Sequence, residues 1–187
     1  MRSLPNAIST LRALSVVAVV ALLAPETAVI ALVVFSLAAL TDAVDGPLAR
    51  RLGATSALGA FLDPLADKIL VLGTLGGLLA RGGVDALPVA LILAREIGVT
   101  GVRTVAARRG IVIGSNVYGK AKAVLQGAAV FGQILVLAWP VAALAPLADV
   151  VLWAAALATV LTGVDVARRA VSAIGRPTAG AVRAHAR

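Results

Sequence analysis

The sequence predicts an all-α, polytopic membrane protein: a six-transmembrane-helix bundle with both termini on the cytoplasmic side. Three observations carry that prediction. Of 187 residues, 60% are hydrophobic and only 14% charged, against about half and about a quarter in a soluble domain, and the mean hydropathy is +1.01. The apolar residues gather in six windows, each near the roughly 20 residues that cross a hydrocarbon core. The basic residues collect on alternate sides of those windows.

In chain order the windows are Ile8–Ala24, Thr27–Val44, Phe61–Ala80, Ala86–Val105, Val124–Ala143 and Leu147–Val166. Turn-forming residues separate them: Pro25-Glu26, Gly53 to Gly59, Arg81-Gly82-Gly83, Arg108 to Gly119, and Pro140 to Pro146. The first window lacks a clean polar exit and reads as a span rather than a cleavable signal peptide. One membrane domain therefore fills residues 1–187, with a basic cytoplasmic tail at 168–187. Gly73, Gly76 and Gly77 give the third window a face of small residues, usable inside the bundle or between protomers.

If the spans alternate, one side receives both termini and the loops at 45–60 and 106–120. Of the 17 Lys and Arg residues, every one but Arg81 falls on that side once helix ends are included. Arg81 shares the other side with Glu26, Asp85 and Asp149. The basic side is expected to be cytoplasmic, in a membrane of the bacterial cytoplasmic type. Trp139 and Trp153 lie near the opposite surface and read as interface anchors. The net charge of +8 is mostly topology and attraction to anionic lipid. With aromatics at 3%, base stacking with a nucleic acid is not expected. The absence of cysteine excludes disulfides and thiolate chemistry, and the single histidine, His185, lies in the tail.

Nine acidic residues occur in the chain, and four of them are Asp42, Asp45, Asp63 and Asp67. They sit where the second span ends and the third begins. Asp42 and Asp45 are spaced i,i+3, and Asp63 and Asp67 i,i+4, so each pair shares one helix face. The two helices are consecutive and antiparallel, which lets those faces converge. Four clustered carboxylates repel one another and are costly near lipid. Arg50, Arg51 and Lys68 are near enough in sequence to compensate as ion-pair partners. A pair of divalent cations would compensate equally, and carboxylate-only ligation suits Mg²⁺ or Mn²⁺ and a phosphate-type substrate. Gly46 and Gly59 near these acids allow close backbone approach or plain helix packing.

The stretch Asp42-Ala-Val-Asp45-Gly46-Pro-Leu-Ala49-Arg50, then eight residues, then Gly59-Ala-Phe-Leu-Asp63-Pro-Leu-Ala-Asp67 resembles the signature D-x2-D-G-x2-A-R-x8-G-x3-D-x3-D of the CDP-alcohol phosphatidyltransferase family. Pro5-Asn6-Ala-Ile8-Ser9-Thr-Leu-Arg12 is similar to the family's N-terminal segment. Ala94-Arg95-Glu96 through Arg103, with Gly119-Lys120-Ala-Lys122 and Gln126, resembles its phosphatidylglycerophosphate synthase branch.

The resemblance implies transfer of a phosphatidyl group from CDP-diacylglycerol to an alcohol, with release of CMP. It implies that Asp42, Asp45, Asp63 and Asp67 hold two divalent ions, Mg²⁺ or Mn²⁺, and that Asp67 is the catalytic base. It places Asn6, Ser9, Arg12, Gly46, Ala49, Arg50 and Gly59 along the CDP-lipid, and it implies a homodimer. Asn6, Ser9 and Arg12 read equally well as a helix start with a headgroup anchor.

Arg95 and Arg103 are eight apart on the fourth span, hence near one face, and Lys120 and Lys122 begin the fifth. Arginines inside a span face the bundle or a wet cavity. These four are candidates for holding the phosphate of an acceptor such as glycerol 3-phosphate. The competing acceptors are phosphatidylglycerol, inositol phosphate and serine. Aspartate-rich intramembrane prenyltransferases also use such clusters with Mg²⁺, but they are longer and lack this signature. A cation carrier would place its acids near the bilayer midplane, whereas here they gather at one end.

Overall fold

The structure, a computed structural model, describes residues 11, 14–51, 57–108, 111 and 117–174; within the helices, the side chains at 42–51, 57–67, 117 and 174 fall outside the description. The described residues contain helices and no strand. Helix α1 covers 14–21 of the described chain. It is followed by α2 (Ala28–Arg51), α3 (Ala57–Ala80), α4 (Ala86–Arg108), α5 (Val117–Ala138) and α6 (Leu144–Ile174). The Tyr118–Ala138 and Leu144–Ala173 stretches are long and apolar enough to cross a membrane.

Each described turn has a local cause. The Thr27 hydroxyl donates to the Leu22 carbonyl at 2.9 Å, closing the α1–α2 turn. Helix α3 ends in a Schellman motif: Gly83 N–H bonds Leu78 O at 3.0 Å and Gly82 N–H bonds Leu79 O at 2.9 Å. Gly82 supplies the required left-handed backbone, with φ 70°. Beside it, Arg81 Nη2 donates to Val20 O at 3.0 Å and caps the end of α1. Asp85 starts α4 by accepting from Leu87 N–H at 3.1 Å. Pro140 cannot extend α5, whereas Pro146 sits in the first turn of α6, where its missing N–H costs nothing.

These ends differ from the apolar windows. Helix α2 runs on from Val44 to Arg51 and α3 begins at Ala57, before Phe61. Helix α5 begins at Val117 and stops at Ala138, short of Ala143, because Pro140 follows. Helix α6 begins at Leu144 and reaches Ile174 rather than Val166. Arg168 and Arg169, expected in the tail, therefore belong to α6. An i,i+4 pair, Arg169 Nη2 to Asp165 Oδ2 at 3.0 Å, favours helix there. Hydropathy marks where a chain is apolar, but helical hydrogen bonding continues past that point into polar sequence.

The core joins all six helices through Val19 and Leu23, Ala31 and Phe35, Leu70 and Leu75, Val89 and Ile92, Val130 and Ile134, and Leu152 and Ala155. Two of the three third-span glycines work inside this bundle, whereas a Cβ on Gly76 would meet nothing within 4 Å. A Cβ on Gly73 would lie 2.5 Å from Val16 Cγ2, and one on Gly77 would lie 3.0 Å from Leu23 Cδ1 and from Val20 Cγ2. Gly73 and Gly77 thus let α1 approach α3 closely. Helix α5 packs on α2, α3 and α6, and α4 packs on α3 and α6. Among the described residues α4 and α5 do not pack against each other, although they are consecutive. Large apolar side chains stay exposed around the outside, among them Val33 and Leu37 of α2, Ile97 of α4, Val124 of α5, and Leu157 and Leu161 of α6.

Candidate active site

Lys68 in the N-terminal half of α3 bonds Thr100 in the C-terminal half of α4, Lys122 near the start of α5 reaches Glu96 at mid-α4, and Arg95 bonds Thr162 in the C-terminal half of α6. Positions 42 and 45 are helical within α2, and 63 and 67 within α3. Each pair therefore keeps the i,i+3 or i,i+4 spacing on continuous helix. The side chains of Asp42, Asp45, Gly46, Ala49, Arg50, Gly59, Asp63 and Asp67 lie outside the described residues, as do Asn6, Ser9 and Arg12 altogether.

At Lys68, the residue after Asp67, a cleft of about 360 Å³ opens between α3, α4 and α5. All four expected acceptor-site residues, Arg95, Arg103, Lys120 and Lys122, line it, together with Lys68, Glu96 and Gln126. Helix geometry explains the grouping. Arg95, Val99 and Arg103 form one stripe of α4, spaced by four, and Gly119, Lys122, Ala123 and Gln126 form one stripe of α5.

Glu96 is the hub. Its side chain is 3% exposed. It accepts a hydrogen bond from Lys122 Nζ and another from Arg95 Nη1 at 2.8 Å, with Lys68 Nζ at 3.5 Å from its second oxygen. Lys68 also donates to Thr100 Oγ1 at 2.9 Å, and that hydroxyl donates to Glu96 O, one turn back, at 2.7 Å. Arg95 Nη2 donates to Thr162 Oγ1 on α6 at 2.9 Å. Gln126 Nε2 donates to Thr159 Oγ1 at 3.0 Å, tying α5 to α6 beneath the cleft.

Among the described residues, five cations thus face one carboxylate in this cleft, and part of their hydrogen-bonding capacity is unused. The Nε atoms of Arg95 and Arg103 are buried without a partner among the described residues. A buried donor without an acceptor is costly, and a multiply charged oxyanion would satisfy it with charge-assisted bonds. Chemically the cleft is an anion receptor next door in sequence to a set of aspartates.

The sequence marks Lys68 only as a neighbour of the aspartates, whereas Lys122, a candidate for the acceptor phosphate, is buried in the structure. The usable signal for Lys68 is the Glu96/Thr100 i,i+4 pair on the next helix, which offers an acceptor at each turn. Thr162 escapes such reasoning because a threonine in an apolar helix ordinarily bonds its own backbone.

The CDP-alcohol phosphatidyltransferase family profile matches residues 2–171. A "Probable phosphatidylglycerophosphate synthase" of Mycobacterium tuberculosis is 43% identical over 147 residues, 79% of this chain and 68% of the relative. A "CDP-diacylglycerol--glycerol-3-phosphate 3-phosphatidyltransferase" of Bacillus subtilis is 41% identical over 132 residues, 70% of this chain and 68% of the relative. A Rickettsia typhi protein with that same enzyme name is 32% identical over 169 residues, 87% of this chain and 94% of the relative.

Proposed function

The chain belongs to the CDP-alcohol phosphatidyltransferase family, and from that premise we propose that it transfers the phosphatidyl group of CDP-diacylglycerol to glycerol 3-phosphate, forming phosphatidylglycerophosphate and releasing CMP. Relatives bearing that enzyme name cover most of this chain. The structural observation that carries the acceptor is the cleft, in which Arg95, Arg103, Lys120 and Lys122 meet around Glu96. A phosphomonoester needs several directed cationic donors. Serine carries no phosphate, and the phosphate of phosphatidylglycerol is a diester tied to acyl chains.

The donor set on α2 and α3 is four carboxylates, a hard all-oxygen set that fits Mg²⁺ or Mn²⁺. Asp42, Asp45, Asp63 and Asp67 would hold two such ions, which supply charge neutralisation at the pyrophosphate when bound. Asn6, Ser9, Arg12, Gly46, Ala49, Arg50 and Gly59 line the CDP-lipid. Asp67 accepts the proton of the acceptor hydroxyl, and the hydroxyl oxygen displaces CMP at the lipid-linked phosphorus. Lys68 follows Asp67 directly and reaches the Glu96 hub. On this reading the base and the acceptor's phosphate share one reaction volume, and positioning of this kind is a large part of catalysis.

The bundle lies in a membrane with six spans and both termini on the cytoplasmic face, as one domain. The exposed apolar side chains around the helices support this, because a surface of that kind is stable only against lipid or a partner. The basic residues at the cleft end support a cytoplasmic active site. A homodimer follows from the family resemblance alone.

The deciding assay supplies the full-length protein in mixed micelles with CDP-diacylglycerol, Mg²⁺ and each alcohol in turn, following CMP. Release is expected with glycerol 3-phosphate. Faster release with phosphatidylglycerol, inositol phosphate or serine would replace the acceptor.

A further inference from the structure

The last helix lies outside the motif stretches at 5–12, 42–67, 94–103 and 119–126, yet it confines a key side chain of the cleft. Arg95 crosses α6 at Gly163. A Cβ placed on Gly163 would stand 2.8 Å from Arg95 Cγ, 3.2 Å from its Nε and 3.6 Å from its Cδ. Carbon atoms rest at about 3.5–4.0 Å, so any side chain at 163 would displace the arginine stem. Cγ lies close to the α4 backbone and cannot swing aside as a chain end can. By contrast, a Cβ on Gly98 or Gly101 of α4 would meet nothing within 4 Å.

The residue before Gly163 completes the seat. Thr162 Oγ1 accepts from Arg95 Nη2 at 2.9 Å, while its own proton is directed back to the carbonyls of Ala158 and Thr159, at 2.9 and 3.0 Å. The hydroxyl is therefore committed as an acceptor toward the arginine. Glu96 holds the other edge of the guanidinium through Nη1 at 2.8 Å. The stem lies over glycine, two edges are pinned, and Nε stays buried without a partner among the described residues.

We propose that Gly163 and Thr162 are positioning residues for the acceptor phosphate: they hold Arg95 in the one orientation that presents it to the cleft. The assignment rests on reading the cleft as the acceptor site. It gives the sixth helix a part in substrate recognition without direct contact with substrate.

The test is a double-mutant cycle on the full-length enzyme in CDP-diacylglycerol micelles, titrating glycerol 3-phosphate and, separately, the CDP-lipid. Gly163→Ala and Thr162→Val are each expected to raise the KM for glycerol 3-phosphate, Gly163→Ala about tenfold, with the CDP-lipid KM changed by less than about twofold. Gly101→Ala serves as a control and is expected to match the wild type. In an Arg95→Ala background, which removes the clash, Gly163→Ala is expected to add nothing to KM. Additive effects, or a normal KM in both Gly163→Ala and Thr162→Val, would overturn the seat while leaving the acceptor site intact. If Arg95→Ala itself leaves the acceptor KM unchanged, the acceptor reading falls and the seat falls with it. The double variant removes both the added methyl and the stem it meets, so it reports on coupling even if Gly163→Ala folds poorly.

Discussion

Lys122 on α5 donates a hydrogen bond to Glu96 on α4 across a gap in which the two helices themselves do not pack. Both side chains are nearly buried, at 9% and 3% exposure. Burying two charges is costly, and removing one partner leaves the other uncompensated, a loss of about 3–5 kcal/mol. Glu96→Gln is therefore expected to lower the stability of the folded bundle by about 3 kcal/mol, read as a fall in melting temperature in detergent. A melting temperature equal to wild type would show that Lys122 has another counter-charge.

Arg103 has the opposite profile. Its Nε is buried without a partner among the described residues, so its removal deletes a cost rather than a bond. Arg103→Ala should hold or raise the melting temperature while raising the KM for glycerol 3-phosphate by about tenfold or more, the loss of one charge-assisted contact. The CDP-lipid KM should barely move. A loss of stability with both KM values intact would make Arg103 a structural residue.

The roles proposed for the aspartates can be separated. Asp67→Asn keeps the size of the side chain and removes the proposed base, and CMP release should fall by about 10²-fold or more. Asp42→Asn, by contrast, should shift the Mg²⁺ concentration needed for half-maximal rate upward. Metal dependence that is identical in wild type and Asp42→Asn would remove Asp42 from the metal set.

At the far end of the bundle, Gly82 has φ 70°, and a Cβ placed on it would meet nothing within 4 Å. Only the backbone opposes a side chain there. Gly82→Ala should cost about 1–2 kcal/mol of stability, the penalty of the left-handed region for an L-residue, with both KM values unchanged. A variant as stable as wild type would mean that the turn can relax to another conformation.

The existence of the helices is legible in the sequence because six apolar windows leave few other arrangements of 187 residues. Their ends are less so, since α2 and α6 stay helical through charged sequence that a hydropathy window treats as loop. In the cleft, Arg95 and Arg103 can be read from the rule that arginines within a span seek a polar interior. The triple pairing of Glu96 cannot, because it depends on distances between three helices that no spacing along one helix encodes. Gly163 is illegible for a plainer reason: a helical glycine signals close approach without naming what approaches.

The 31 residues of α6 make a rod of about 46 Å at 1.5 Å per residue, longer than the roughly 30 Å depth of hydrocarbon. It acts as a depth gauge. Counted from Leu144, Gly163 falls about 28 Å along that rod, and Arg95, counted from Ala86, about 14 Å along α4. On the proposed topology, the surplus length of α6 carries its last turns out of the oily layer, so a water-soluble phosphate must enter the bundle to reach Arg95.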